Sequence, residues 1–288
     1  MESTHGVAYE NEIKVLNILH RFGHVRQCDI SRAIWPNSDR HTAETMAHRT
    51  IARLLRLKQI FRTRNRGIPG YSCLLASAGV NRIDGMFDVK TKNGRGLTSV
   101  TGPQFVHREL GTRYLIEQEV AGMRAYGEYA VYRGMGGFTR DMFRDAFKKI
   151  PDGLVLIPGA ARGLDPGITA IDWIEVENYY KPPAERDGIY ALFERIGDWI
   201  GDPRRKLMLD RVVCVYSSRN EHKRSLISGI ARYVHDHKIE NPQILASIAL
   251  AECQIQPPLI WLGCEETHWL AMQNNGLAEK YLEYANGE

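Results

Sequence analysis

The chain reads as a mixed α/β protein of two domains, a small basic helical one followed by a larger α/β one. Three observations predict this. The length of 288 residues, at about 100–200 residues per domain, leaves room for two cores. Charge is divided unevenly: residues 1–100 carry 16 Lys and Arg against 8 Asp and Glu, and residues 101–288 carry 22 against 26. Beyond residue 107 the apolar pattern changes from helical spacing to helices alternating with short apolar strands. A composition of 43% hydrophobic and 25% charged residues excludes a disordered or collagen-like chain. A basic third on an acidic remainder suggests a nucleic-acid partner. The alternative is uneven charge that merely solvates two faces.

The first domain is expected over residues 1–83. Ile13, Leu16, Ile18, Leu19 and Phe22 recur at helical spacing over Tyr9–Phe22, and Gly23 ends that helix. A shorter helix follows over Gln27–Ile34 and breaks at Trp35-Pro36, because proline lacks an N–H and disfavours helix before it. A third helix spans about Thr42–Lys58, with Met46, Ile51, Leu54, Leu55 and Leu57 as its apolar stripe and His48, Arg49, Arg53 and Arg56 largely elsewhere. Two strands then flank a turn: Ile60–Arg66, which carries Arg62, Arg64 and Arg66, and Tyr71–Leu75. Helix–helix–helix–hairpin resembles the winged helix-turn-helix, whose third helix enters the major groove of double-stranded DNA while the hairpin runs beside the phosphates. Arg21–Arg66 holds 11 Lys and Arg against three acids, so the expected binding is strongly salt-dependent. The alternative is a small helical domain that binds protein, since winged helices also mediate dimerisation. Residues 84–106 are polar, Gly-containing and aperiodic, and read as a linker.

The second domain is expected over residues 107–288. Its elements are a helix over 107–124, a strand over Glu128–Tyr132, a helix over Phe138–Lys149, and strands over Leu154–Ile157 and Thr169–Glu177. A helix over about Ala184–Ile200, a strand Val212–Tyr216, a helix Asn220–His235, a strand Pro258–Leu262 and a closing helix Trp269–Tyr284 complete it. Such alternation implies a sheet layered by helices.

One arrangement carries chemistry. Asp152 heads one strand in Pro151-Asp152-Gly153, and Glu175 and Glu177, two apart, share a face of the next strand. If the strands are neighbours, three carboxylates meet. They repel one another unless a cation neutralises them, and hard oxygen donors favour Mg²⁺ or Mn²⁺. Beside a phosphodiester such an ion activates a nucleophile and stabilises the developing oxyanion. The alternative is a common turn tripeptide and a solvated strand face.

From about residue 9 to residue 236 the order of elements resembles the replication-relaxation family, which includes plasmid mobilisation relaxases of the MobC type. The resemblance is carried by the stretch ending Tyr71-Ser72-Cys73-Leu74-Leu75-Ala76-Ser77-Ala78-Gly79, by Phe105-Val106-His107-Arg108-Glu109-Leu110, by Pro151-Asp152-Gly153 and by Ile174-Glu175-Val176-Glu177. It implies a restriction-endonuclease-like core of the PD-(D/E)xK kind, in which Asp152 and Glu175 are metal ligands, Glu177 takes the third motif position and His107 lies near the active site. His107 as a buried or capping side chain is the alternative. The usual lysine at the third position is replaced here by Glu177, and Lys181, four residues on, is placed to supply the missing charge. The implied function is a Mg²⁺- or Mn²⁺-dependent nickase or relaxase acting at an origin-type DNA site of a mobile element, alongside other relaxosome proteins. The alternative is a non-catalytic DNA-binding regulator with a degenerate nuclease core; a ligand-sensing repressor is a third reading. Tyr179 and Tyr180 lie close enough in sequence to be considered as nucleophiles in place of water.

The five cysteines are widely spaced and show no CxxC pair, which fits reduced thiols. No basic segment followed by an apolar stretch opens the sequence, and no run of about 18 apolar residues occurs. The expectation is a cytoplasmic protein without a membrane span.

Overall fold

A computed structural model describes residues 4–64, 70–84, 86, 103–178, 181–256 and 260–287. The fold is mixed α/β. The chain divides into two units, Met1–Phe105 with Leu115–Arg140 and Val106–Tyr114 with Asp141–Glu288. Most of the expected linker, residues 85 and 87–102, lies outside the described residues, as do residues 65–69 and with them Arg66.

In the first unit α1 (Thr4–Phe22) buries Val15, Leu16, Leu19 and Phe22, and ends at Gly23, whose amide donates to the Leu19 carbonyl at 2.9 Å. A three-residue strand, β1 (His24–Arg26), follows; it is too short to show a period and was not expected from the sequence. Next come α2 (Gln27–Ile34) and α3 (Arg40–Arg56). The Asp39 carboxylate accepts from the Thr42 amide at 3.0 Å, satisfying one of the free N–H groups that open α3. Ala43, Ala47, Ile51 and Leu54 form its buried stripe. β2 (Ile60–Thr63) and β3 (Ser72–Leu75) pair antiparallel, and β1 pairs with the other edge of β3, so the order is β1-β3-β2 and β3 is buried along its length. In α4 (Ser77–Asp84), Gly79 lies against the Gln59 carbonyl oxygen, leaving no room for a Cβ.

The helix α5 (Pro103–Val120) gives Val106–Tyr114 to the second unit and its remainder to the first. The first unit continues through β4 (Arg124–Gly127) and α6 (Glu128–Tyr132). The strand expected over Glu128–Tyr132 is therefore a helical turn. Adjacent Ala130 and Val131 are both buried, which a helix face allows and an alternating strand does not. Arg21 ion-pairs with Glu119 and donates to the Ala125 carbonyl at 3.2 Å, tying α1 to the last turn of α5 and to β4 within this unit.

After Val106–Tyr114 of α5, the second unit continues with α7 (Arg140–Phe147) and is built on β5 (Gly153–Pro158), β6 (Thr169–Val176), β7 (Leu207–Ser217), β8 (Ile248–Gln256) and β9 (Ile260–His268), in that spatial order. β5 is antiparallel to β6; β6, β7 and β8 run parallel; β9 returns antiparallel to β8. Ala170, Ile171, Trp173, Ile174, Val212, Val213 and Val215 are all inaccessible, as strands covered on both faces require. The remaining helices are α8 (Pro183–Tyr190), α9 (Lys223–Asp236), α10 (Pro242–Ser247), α11 (Trp269–Asn274) and α12 (Leu277–Gly287). Three sequence expectations are corrected here. The helix expected to reach Ile200 stops at Tyr190, because Gly197 and Ile200 donate their amides to Leu209 and Leu207 and the chain turns onto β7. The strand expected at Pro258–Leu262 is part of a hairpin whose first arm, β8, the sequence did not reveal; residues 257–259 lie outside the described residues. The single closing helix is two, separated at Gly276, whose φ of +73° is left-handed. Among the described residues no helix is long and apolar enough to cross a membrane.

Candidate functional site

The candidate site lies where β5 begins and β6 ends. Gly153 pairs with Ile174, so Asp152 stands one step beyond, level with Glu175 on the neighbouring strand. Its backbone amide donates to the Ile174 carbonyl at 3.0 Å, and its Oδ2 accepts the Val176 amide at 2.8 Å. The carboxylate thus completes the ladder at the point where β5 has ended. The other oxygen, Oδ1, lies 3.4 Å from His107 Nε2. His107 reaches it because α5 lies close on β6: a Cβ on Gly111 would meet Val176 Cγ2 at 2.9 Å. Spacing of four and seven residues puts His107, Gly111 and Tyr114 on one face of that helix.

Glu175 and Glu177 project from the opposite face of β6, with Trp173. The Phe143 and Phe147 rings of α7 meet the Trp173 ring edge-on at 5.4 and 5.3 Å between centroids. Trp173 Nε1 donates to Glu175 Oε1 at 2.7 Å and fixes that carboxylate. After α7, Lys148 adopts a left-handed φ of +57°, and the turn delivers Lys149, whose Nζ lies 3.0 Å from Glu175 Oε2. Lys181 ion-pairs with Glu177 and donates to the Val176 carbonyl at 3.3 Å. Asn220 Nδ2 donates to the Glu177 carbonyl at 2.6 Å. Glu175, Glu177 and Lys181 are all buried.

Electrostatics follow from this burial. Glu175 is raised well above the ordinary carboxylate range by loss of solvent and by the charge of Asp152, against the pull of Lys149 and Lys181. Burial raises Glu177 too, against Lys181. For Asp152 burial alone would act the same way, but the hydrogen bond and charge of His107, with Lys181 and the Val176 amide, outweigh it and hold the carboxyl low. Burial would lower Lys149 and Lys181, yet Glu175 and Glu177 respectively keep both raised. Two carboxylates of unequal basicity side by side, with two ammonium groups beside them, suit proton handling and the exchange of one cation for another.

The structure therefore brings together Asp152, Glu175, Glu177, His107 and Lys181. It adds Lys149, Trp173 and Asn220. Lys149 stands three residues before Asp152, and that proximity was the available signal. The repulsion expected among three carboxylates is met here by two lysines. Among the described residues no group of three or more His, Cys, Asp and Glu is arranged to hold a metal ion. Tyr179 and Tyr180 lie outside the described residues.

A second ionic group occupies the α5 face of the sheet. The buried Asp172 of β6 pairs with Arg162 at 2.9 Å and Arg211 at 3.3 Å. Arg211 pairs in turn with Glu266, which accepts from the Tyr114 hydroxyl at 2.9 Å. Nothing in the sequence pattern marked it.

Of the basic side chains singled out in the first unit, His48, Arg49 and Arg56 are exposed on α3 and Arg64 is exposed after β2. Arg53 is engaged differently: its Nε lies 2.5 Å from the carboxylate of buried Glu12, which also pairs with Arg82 at 2.7 Å. Arg62 and Arg64 place their guanidinium groups over the Tyr71 ring at 5.6 and 5.8 Å. No protein family, no curated protein and no solved structure matches this chain.

Proposed function

We propose that the chain is a DNA-binding protein whose second unit hydrolyses phosphodiester bonds with a divalent cation held by Asp152 and Glu175. The observation that carries this reading is the level placement of Asp152 and Glu175 where β5 begins and β6 ends, each within reach of the other's charge, with Lys149 on Glu175 and Lys181 on Glu177. The donors suit Mg²⁺ or Mn²⁺. Both ligands offer hard oxygens, Glu175 Oε2 is met by the Lys149 ammonium at 3.0 Å, a cation already in the place a metal would take, and the Asp152 side chain retains 21% exposure. Two carboxylates are the usual protein share for Mg²⁺, which completes its coordination with water and phosphate. When bound, the ion supplies positive charge that polarises the phosphoryl oxygens and lowers the pKa of water.

The chain's own residues prepare that site. Trp173 Nε1 and the Val176 amide fix one oxygen of each carboxylate, and the second oxygens, met by Lys149 and His107, are those a cation would take. Lys149 balances the charge of Glu175; a cation held at that carboxylate would take its place there and leave the ammonium available to a phosphate oxygen. Lys181, anchored by Glu177 and the Val176 carbonyl, supplies fixed positive charge where the usual motif lysine is replaced. His107 orients Asp152.

The order α1, β1, α2, α3, β2, β3, with its three-stranded antiparallel sheet, supports reading the first unit as a winged helix-turn-helix. Its exposed His48, Arg49 and Arg56 would face the major groove, with Arg64 beside the phosphates. The mixed sheet with Asp152 and Glu175 at adjoining strand ends supports a restriction-endonuclease-like core. The resemblance to the replication-relaxation family extends the proposal to an origin-type site on a mobile element. A second reading, a non-catalytic DNA-binding regulator, is favoured by one observation: Lys149 and Lys181 balance the glutamates without any ion. Supercoiled plasmid carrying the native element separates the two. Relaxed circles formed with Mn²⁺ or Mg²⁺, absent with chelator and absent in Asp152→Asn with DNA binding intact, support the nuclease. DNA binding without nicking in either metal supports the regulator.

A further inference from the structure

Cys253 on β8 and Cys264 on β9 stand directly opposite each other in the antiparallel register. Their Sγ atoms are 3.4 Å apart, with the Cys253 thiol donating to Cys264 Sγ, and none of the five cysteines is disulfide-bonded. Directly opposed residues of an antiparallel pair have Cα atoms about 4.5–5.5 Å apart, inside the range of about 4.4–6.8 Å that a disulfide spans. A bond between these sulfurs therefore needs side-chain rotation and little backbone movement. The two thiols differ in access: Cys264 is exposed and Cys253 is fully buried. None of the other cysteines is in a comparable arrangement, since Cys73 and Cys214 are buried on other strands and Cys28 is exposed in the first unit on α2.

We propose that Cys253 and Cys264 are a thiol pair that closes to a reversible disulfide when the protein meets hydrogen peroxide. The exposed Cys264 acts first. Its thiolate attacks one peroxide oxygen, the O–O bond breaks, and the released hydroxide takes up the thiol's proton to leave as water, giving a sulfenic acid on Cys264. Cys253 Sγ then attacks Cys264 Sγ: the S–S bond forms, the S–O bond breaks, and the hydroxide leaves as a second water with the Cys253 proton. Two thiols are oxidised by two electrons, and one peroxide is reduced to two waters. A dithiol reverses the change by thiol–disulfide exchange. Burial and the neighbouring Cys264 raise the Cys253 thiol far above its ordinary range, which leaves the first attack to the exposed Cys264; Cys253 gives up its proton to the departing hydroxide as it closes the bond. The product clips β9, the last strand in the order of this sheet, to β8 next to the pairing of Glu266 with Arg211.

The full chain, treated with hydrogen peroxide at about millimolar concentration and then alkylated under denaturing conditions, tests this. The expected result is a loss of two titratable thiols, a Cys253–Cys264 linked peptide by mass spectrometry, and full recovery with dithiothreitol. Cys264→Ser should retain its remaining thiols, whereas Cys28→Ser should still form the linked peptide. Cys264 ending as sulfinic acid with Cys253 still alkylatable would overturn the proposal. So would a linked peptide between chains through Cys28, or no thiol loss at all.

Discussion

Replacing Lys149 by Met tests whether the lysine, in the absence of metal, is what allows Glu175 to be charged. Glu175 Oε2 and Lys149 Nζ lie 3.0 Å apart, and the Glu175 side chain is 1% exposed while that of Lys149 is 23% exposed. At an effective dielectric constant of about 20, Coulomb's law gives about 5.5 kcal/mol of attraction at that separation, a ceiling because Lys149 is partly solvated. The loss on substitution depends on pH, since the variant can avoid a bare buried carboxylate by protonating it. Burial and Asp152 already raise Glu175 in the wild-type protein, and removal of Lys149 raises it further. Below the wild-type midpoint both proteins hold the proton and their stabilities differ by little more than lost packing. Above it the wild type ionises and the folded variant does not, so the variant binds more protons when folded. The difference then grows by about 1.4 kcal/mol per pH unit, reaching about 2–3 kcal/mol two pH units above that midpoint. Urea unfolding followed by circular dichroism at pH 5.5, 7 and 8.5, with chelator throughout, measures it. The double substitution Lys149→Met with Glu175→Gln should show no such pH slope. A destabilisation that is constant with pH, or that shrinks as pH rises, would mean that Lys149 does not set the charge of Glu175.

Other consequences follow from the same geometry. Arg49→Ala with Arg56→Ala should weaken duplex binding and lower the slope of log K against log salt by about 2, measured by fluorescence anisotropy across a salt series; Arg53→Ala should leave that slope unchanged. Arg53→Ala should instead cost about 1–3 kcal/mol of stability in urea, because it strips one of two cations from the buried Glu12. Burial raises Asp172 to about 6, with Asp210 and Glu266 adding to it, against Arg211 and Arg162. The folded protein holds this proton above the pH at which the unfolded chain, near its ordinary 3.8, has lost it. Wild-type stability should therefore fall relative to Asp172→Asn as pH rises from about 4 to about 6, by up to about 3 kcal/mol; a rise over that interval would contradict the burial argument. Gly111→Val should press α5 off β6 at Val176 and lower thermal stability by about 1–3 kcal/mol.

Parts of this molecule were legible in its sequence because local chemistry and tertiary packing agree there. Asp39 caps α3, Gly23 ends α1 and Pro36 follows α2, and these three helices lie within a few residues of expectation. Asp152, Glu175 and Glu177 could be grouped because strand alternation and the order of two neighbouring strands were enough to align them. The failures share a cause. Glu128–Tyr132 is too short for its period to discriminate helix from strand, and β8 was missed, with β9 read only in part, because the pairing of that hairpin is decided by register rather than composition. Lys149 meets Glu175 only once α7 has packed its phenylalanines on Trp173 and Lys148 has turned the chain. The Asp172–Arg211–Glu266 group draws on three strands, and the Cys253–Cys264 contact on the register of a hairpin, neither of which a linear pattern encodes.

A site at Asp152 and Glu175 that exchanges a lysine ammonium for a divalent cation requires the metal-free protein to take up Mn²⁺. Calorimetric titration of Mn²⁺ into the metal-free protein tests it most directly. One ion should bind per chain, with binding lost in both Asp152→Asn and Glu175→Gln and strengthened in Lys149→Met, where the competing ammonium is gone. Absence of Mn²⁺ binding at millimolar concentration, or binding that survives both carboxylate substitutions, would contradict the account.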